Sequence, residues 1–270
     1  MLTNNIKCSN CGSYHDPTLE QCPKCYKRNE LYDRERVLNN VFFFHPIAHT
    51  GLFLAGFAYV GMLFSEIICG FFLLTVPEGT LRTTLAVFFT YLLMFGGLLT
   101  VVLTTRRKPF LKRYTRGLDY AFGAVYAIGI VVTSLLISFI VSLIYKGPEN
   151  VNQSVAVEIS TNYPILACFV LCLFGPICEE LTYRVGLYSL LRRVHIALAL
   201  AVTTIVFALI HFDFAAEDIV SELWSLPTYI SSAVILTLAY EHRGPACSMT
   251  AHLLYNTFAF IMIFVEKYYG

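Results

Sequence analysis

Runs of eighteen or more apolar residues recur along this chain and decide its class before any single residue is read. A run of that length crosses the hydrocarbon layer of a bilayer as one α-helix. The residues are 57% hydrophobic and only 14% charged, against about 25% charged in soluble domains. The expected fold is an all-α polytopic membrane protein whose first partner is the lipid bilayer. The pattern predicts about seven transmembrane helices, near 48–74, 84–105, 119–145, 163–190, 195–212, 226–241 and 247–266. The formal net charge of +1 selects no partner. The first thirty residues are polar and hold four cysteines, which is not the pattern of a signal peptide.

Those four cysteines carry the second constraint. Cys8, Cys11, Cys22 and Cys25 read Cys-x2-Cys-x10-Cys-x2-Cys, with Gly12 after the first pair and Pro23 inside the second. Two such pairs supply four thiolates for a tetrahedral Zn2+ site. So small a segment buries no core of its own, so the metal would supply its folding energy. The alternative is a pair of disulfides. The remaining cysteines, Cys69, Cys168, Cys172, Cys178 and Cys247, lie in apolar segments and read as small packing residues. The domain plan is a zinc ribbon over 1–30, a linker or interfacial segment over 31–47, and a transmembrane helical domain over 48–270. A ribbon of this kind can dock a cytoplasmic protein. Its basic residues, Lys7, Lys24, Lys27 and Arg28, are too few to read as a nucleic-acid site. His45 and His49, on either side of Pro46, read as solvated residues at the membrane edge.

Arginine and lysine set the topology. The short segment with Arg106, Arg107, Lys108, Lys112, Arg113 and Arg116 is strongly basic, as cytoplasmic loops are. Seven spans place Arg192, Arg193, Arg243 and the N-terminus on that same side. A reducing compartment favours zinc over disulfides. The opposite loops are poor in positive charge, and Asn152-Gln-Ser154 there is a formal glycosylation sequon.

Three polar placements inside the late helices stand against this apolar background. Glu179-Glu180-x3-Arg184 adjoins the long apolar run from Tyr163 to Cys178, Phe207-x3-His211 closes the fifth segment, and His252-x3-Asn256 lies in the seventh. A charged group at a helix centre costs about 2.5–3.5 kcal/mol on insertion scales, so a structural helix has no use for Glu-Glu there. Residues four apart share a helix face: Glu180 pairs with Arg184, and Glu179 points about 100° away, toward another neighbour. A carboxylate, two imidazoles and a carboxamide are the groups that activate water and stabilise an oxyanion. The same groups can also hold a metal with a position left for water. Taken one at a time, each motif has a bland reading as helix-to-helix hydrogen bonding.

Taken together, in this order and on successive helices, they resemble the three motifs of the CPBP family, the type II CAAX prenyl proteases and the bacterial Abi-type membrane proteins. The resemblance covers about 120–266 and leaves the ribbon as an appended module. It implies a membrane-embedded endopeptidase acting on a peptide or protein substrate near the membrane surface. By motif, Glu179 is the general base on water and His211 assists it. His252 and Asn256 hold the oxyanion, and Glu180 and Arg184 fix the helix and the charge on Glu179. A catalytic metal on Glu179, His211 and His252 stays open, and HExxH is absent. The alternative function is a non-catalytic scaffold, immunity or sensor protein working through its ribbon. One tension accompanies the resemblance. Glu179 lies about 16 residues in from one membrane face and His211 about 16 residues in from the other, a depth difference of several ångströms at about 1.5 Å per residue.

Overall fold

The computed structural model describes residues 6–15, 19, 21–29, 41–58, 64–105 and 107–269. Most of the linker expected at 31–47 lies outside them. Strands β1 (Ile6–Lys7) and β2 (Tyr14–His15) pair antiparallel, Ile6 opposite His15. Two turns of matching form follow the two cysteine pairs. In the first, Gly12 N–H donates to Cys8 O at 2.9 Å and Cys8 N–H to Ser13 O at 2.9 Å. In the second, Tyr26 N–H donates to Cys22 O at 2.8 Å and Cys22 N–H to Lys27 O at 2.9 Å. Gly12 (φ 69°) and Tyr26 (φ 58°) close these turns in the left-handed region, where glycine is at ease and tyrosine is not.

The helices are α1 (Pro46–Ala58), α2 (Phe64–Thr75), α3 (Thr80–Thr104), α4 (Arg107–Arg113), α5 (Gly117–Ile144) and α6 (Val151–Asn162). They continue with α7 (Pro164–Leu191), α8 (Ile196–Leu209), α9 (Ile219–Arg243) and α10 (Pro245–Tyr269). Five of them, α3, α5, α7, α9 and α10, are long and apolar enough to cross a membrane. The seven expected spans are therefore not all found among the described residues. The first segment, expected as one span over 48–74, divides into α1 and α2 around 59–63, which lie outside the described residues. The fifth is α8, whose 14 residues reach about 21 Å, short of a hydrocarbon core of about 30 Å. The polar connection from Glu149 onward holds α6, Val151–Asn162, which the sequence pattern did not predict.

Short α1 is buried against α7 by small residues. A Cβ at Gly56 would overlap the Thr182 side chain, and one at Gly186 would lie 2.8 Å from Phe53 N. Such close approach is how membrane helices gain contact where lipid offers no hydrophobic drive. His49 is fully buried in this interface, not solvated as its position in the sequence suggests. Its Nδ1–H donates to Val185 O, and its Nε2 accepts from Phe44 N–H at 3.4 Å.

The basic groups collect at one end of the bundle. Arg193 donates to Phe44 O at 3.0 Å, Arg113 donates to Arg243 O at 3.0 Å, and Arg243 lies 3.8 Å from Asp119. Val41, Phe43 and Phe44 are buried at that end, with Phe110 of α4 packed on both rings.

Candidate active site

Helix α7 carries the site and is not a plain α-helix. It widens into π-helical turns over Phe169–Phe174 and Glu180–Tyr188, with one α-helical stretch, Gly175–Glu179, between them. π-Bulges of this kind are frequent at functional sites. Gly175 N–H donates to Val170 O, five residues back. The next rung would run from residue 176 to Leu171, but Pro176 has no N–H to give. The helix continues through Gly175-Pro176 without interruption. The turn there is widened and leaves one carbonyl free of its backbone partner.

The two adjacent glutamates differ sharply in setting. Glu180 is fully buried. Its Oε1 lies 2.9 Å from Arg184 Nη1 and 3.0 Å from His252 Nδ1. A carboxylate only accepts, so His252 donates from Nδ1 and its Nε2 is left facing the other way. Nε2 lies 3.6 Å from Glu179 Oε2. The Glu179 side chain is 12% exposed, Glu180 0%. The two carboxylates thus meet one imidazole from its two nitrogens. Glu180 thus joins Arg184 on one side and His252 on the other, and His252 in turn faces Glu179.

His211 stands two residues beyond the end of α8, in a tightened turn where its N–H donates to Ala208 O at 3.2 Å. Its Nδ1 hydrogen-bonds the Phe207 carbonyl at 2.8 Å. Since a carbonyl only accepts, Nδ1 carries the proton and Nε2 keeps the lone pair in the neutral ring. The side chain thereby satisfies one of the carbonyls that a helix end leaves open. The Phe207 ring is a hub. It lies 4.9 Å from the His211 ring and 6.0 Å from the His252 ring, with the Arg184 guanidinium 4.2 Å from its centroid. His211 and Glu179 are close enough for their charges to interact. The depth tension relaxes because α8 is short: its end sits part-way through the bundle, level with the middle of α7.

Asn256 turns elsewhere. Its Nδ2–H donates to Leu171 O at 2.9 Å, the carbonyl freed by Pro176. Two phenols that the motifs do not include border the site. Tyr91 of α3 packs over Gly175, where a Cβ would meet its ring at 3.6 Å. Its hydroxyl lies near the Glu179 carboxylate. Tyr229 of α9 stacks on His211, ring centroids 4.5 Å apart and planes 23° apart. The sequence signal for both is a tyrosine well inside a long apolar helix, away from the interfacial belt where tyrosine collects. A buried hydroxyl there calls for a partner.

Among the described residues, one group of side chains has ligand atoms within 4.8 Å of one another: Cys8, Cys11, Cys22 and Cys25. The cluster can hold a metal ion. Cys8 and Cys25 Sγ atoms are 3.6 Å apart, as are those of Cys11 and Cys22. Tetrahedral metal–sulfur bonds of about 2.3 Å put sulfurs roughly 3.8 Å apart, so the spacing fits. The Ser13 hydroxyl, 3.3 Å from Cys22 Sγ, holds that thiol down to about 5. Glu179, His211 and His252 form no such cluster.

A polytopic helical protein with a carboxylate–imidazole centre inside the bundle, behind a four-cysteine module, is the class these features define. Residues 161–258 match the family model described as Type II CAAX prenyl endopeptidase Rce1-like. The matched stretch contains Glu179, His211, His252 and Asn256, the residues of the three motifs, and is similar to that family over this part of the chain. UPF0177 protein YvdC of Lactococcus lactis is 27% identical over 137 residues, 50% of this chain and 50% of that protein. The membrane-embedded CAAX protease MroQ of Staphylococcus aureus is 28% identical over 141 residues, 49% of this chain and 53% of that protein. The chain thus spans about half the length of the curated relatives it matches. No solved structure matches it.

Proposed function

We propose that this chain is an intramembrane endopeptidase in which Glu179 activates water to cut a peptide or lipidated peptide near the membrane surface. The observation that carries this reading is the opposition of Glu179 and the His252 imidazole, 3.6 Å apart, with His252 held from behind by Glu180. The slight exposure of Glu179 supports it as the group that meets water. His211, with Nε2 free, is the second base or the proton carrier to the leaving amine. Asn256 keeps a second N–H beyond the one given to Leu171, and that hydrogen is the donor available to an oxyanion. The protease names of the family model and of the staphylococcal relative favour the same chemistry. A glutamate-activated water without an obligate metal is the mechanism we favour, and chelation should leave cleavage intact.

The ribbon is proposed to hold one structural Zn2+ on Cys8, Cys11, Cys22 and Cys25, with the N-terminus cytoplasmic. The gathering of Phe44, Arg113, Arg193 and Arg243 at one end of the bundle supports that orientation. The ribbon then faces substrates or partner proteins on the cytoplasmic side. The test is substrate trapping with Glu179→Gln in the native membrane. The expected result is enrichment of peptides that the wild-type chain processes and the variant holds uncut. Unchanged processing by Glu179→Gln or by His211→Ala would refute the catalytic reading and favour a scaffold working through its ribbon.

A further inference from the structure

Helix α9 reaches the His211 region with two side chains two turns apart, Glu222 and Tyr229, and each does the same double task. Glu222 is fully buried. Its Oε1 accepts from Val151 N–H, in the first turn of α6, at 2.8 Å. Its Oε2 accepts from Asp213 N–H, two residues beyond His211, at 3.1 Å. Tyr229 stacks flat on the His211 ring at 4.5 Å. Its hydroxyl accepts from Asn150 Nδ2 at 3.3 Å and Asn152 Nδ2 at 3.0 Å, again at the start of α6. One face of α9 thus grips both the segment bearing His211 and the N-terminal turn of α6.

A segment that leaves a short helix inside a bundle has few backbone bonds to define it, and a histidine two residues past the helix end would otherwise rotate. The Nδ1 bond to Phe207 O fixes one edge of the imidazole. The stack fixes its plane, and the two asparagines fix the stacked ring in turn. Pro227, inside α9 between the two gripping residues, lets the helix bend locally without breaking.

We infer that Tyr229 is a positioning residue for His211, anchored through Asn150, Asn152 and the Glu222 clamp to the turn that opens α6. This rests on the proposed role of His211 in the site. It assigns to α6, which lacks any of the motif residues, the task of holding the catalytic end of α8.

The test reads the imidazole itself. The full-length chain is reconstituted in lipid nanodiscs with ring-15N-labelled histidine, and the His211 resonances are assigned by their loss in His211→Gln. The wild type should show one neutral tautomer, with the proton on Nδ1. Tyr229→Leu should turn that signature into a tautomer mixture and shift the His211 ring protons downfield through loss of the stacked ring current, while His252 stays unchanged. Tyr229→Phe keeps the stack but removes the asparagine bonds. It should preserve the tautomer and lose part of the ring-current shift. If Tyr229→Leu does not fold, the Phe variant alone decides. An unchanged His211 signal in the folded variants overturns the proposal. The measurement needs no substrate, so a chain that shows the shifts but cuts nothing would refute the protease reading and leave Tyr229 as the residue that positions His211.

Discussion

Asn256 Nδ2 donates to Leu171 O at 2.9 Å, filling the rung that Pro176 leaves empty in the π-helical turn before Glu179. The carboxamide therefore ties α10 to α7 about two helical turns before Glu179. Asn256→Leu removes the donor and strands a carbonyl inside the bundle. Interhelical hydrogen bonds in membranes are worth about 0.6–1.7 kcal/mol, so unfolding in mild denaturant should show a loss of that order. Cleavage should fall further than stability explains, because Glu179 loses its register as well. A variant as stable as wild type would show that water or a neighbouring group satisfies Leu171.

The two adjacent glutamates should separate cleanly by mutation. Glu180→Gln removes the carboxylate facing both Arg184 and His252, and leaves a fully buried guanidinium uncompensated. Breaking one partner of a buried pair costs about 3–5 kcal/mol. The Gln variant should therefore express poorly or melt early. Glu179→Gln removes a side chain with a longer contact and some water exposure, and should stay within about 1 kcal/mol of wild type while losing cleavage. Equal stability losses in the two would contradict the division of roles.

Much of this site was legible from charge in an apolar background. Glu179, Glu180, Arg184, His211 and His252 stand out because a bilayer excludes such groups, and spacing of four residues placed each motif on a face. What spacing could not give is the width of a turn. Glu179 and Glu180 do point apart, with α-helical dihedrals at both, yet both meet His252 because its ring offers a nitrogen to each. Five spans, not seven, are found among the described residues for a related reason. Hydropathy sees apolar length but not where a helix ends, and α8 ends early because the His211 side chain caps it at Phe207 O. His49 was missed because a histidine beside a proline at a membrane edge looks solvated until α1 is known to pack on α7. The gathering of Cys8, Cys11, Cys22 and Cys25 into one cluster that can hold a metal ion, by contrast, was readable from spacing.

Tyr91 lies outside the stretch that matches the family model, yet its ring lies over Gly175 with the hydroxyl near Glu179, and it is expected to donate to that carboxylate. Tyr91→Phe keeps the ring over Gly175 and removes only the hydroxyl. A hydrogen bond to a charged group is worth about 1.5–3 kcal/mol, so kcat should fall by tenfold or more with little change in melting temperature. Steady-state kinetics on the trapped substrate provide the check. A kcat within twofold of wild type would make Tyr91 a packing residue only.

Asp218 caps the start of α9, accepting from Val220 N–H at 3.0 Å and Ser221 N–H at 3.4 Å, and from the Tyr145 hydroxyl at 2.8 Å. The Tyr145 hydroxyl, with the backbone N–H groups, holds its carboxyl below the usual aspartate range. A depressed folded value contributes stability above the unfolded value, about 3.9, which is lost as pH falls through the folded value. Asp218→Ala should therefore melt below wild type at neutral pH, with the difference closing below about pH 4. A gap that persists unchanged into that range would assign the effect to lost packing.

The ribbon makes a prediction about metal that is independent of catalysis. One Zn2+ per chain should copurify, and Cys8→Ser or Cys22→Ser should abolish it. The Ser13 hydroxyl stabilises the charged form of Cys22, holding it down to about 5, so protons compete poorly for that sulfur until the medium is distinctly acidic. Ser13→Ala removes the donor and returns the thiol toward its ordinary value of about 8.5. Protons then displace the metal earlier, because binding requires the thiolate. Release of zinc into a chromogenic chelator on acidification should begin at a higher pH in Ser13→Ala than in wild type, while the helical signal of the transmembrane bundle stays constant. Identical release curves would mean that bound metal, not Ser13, fixes the charge on Cys22.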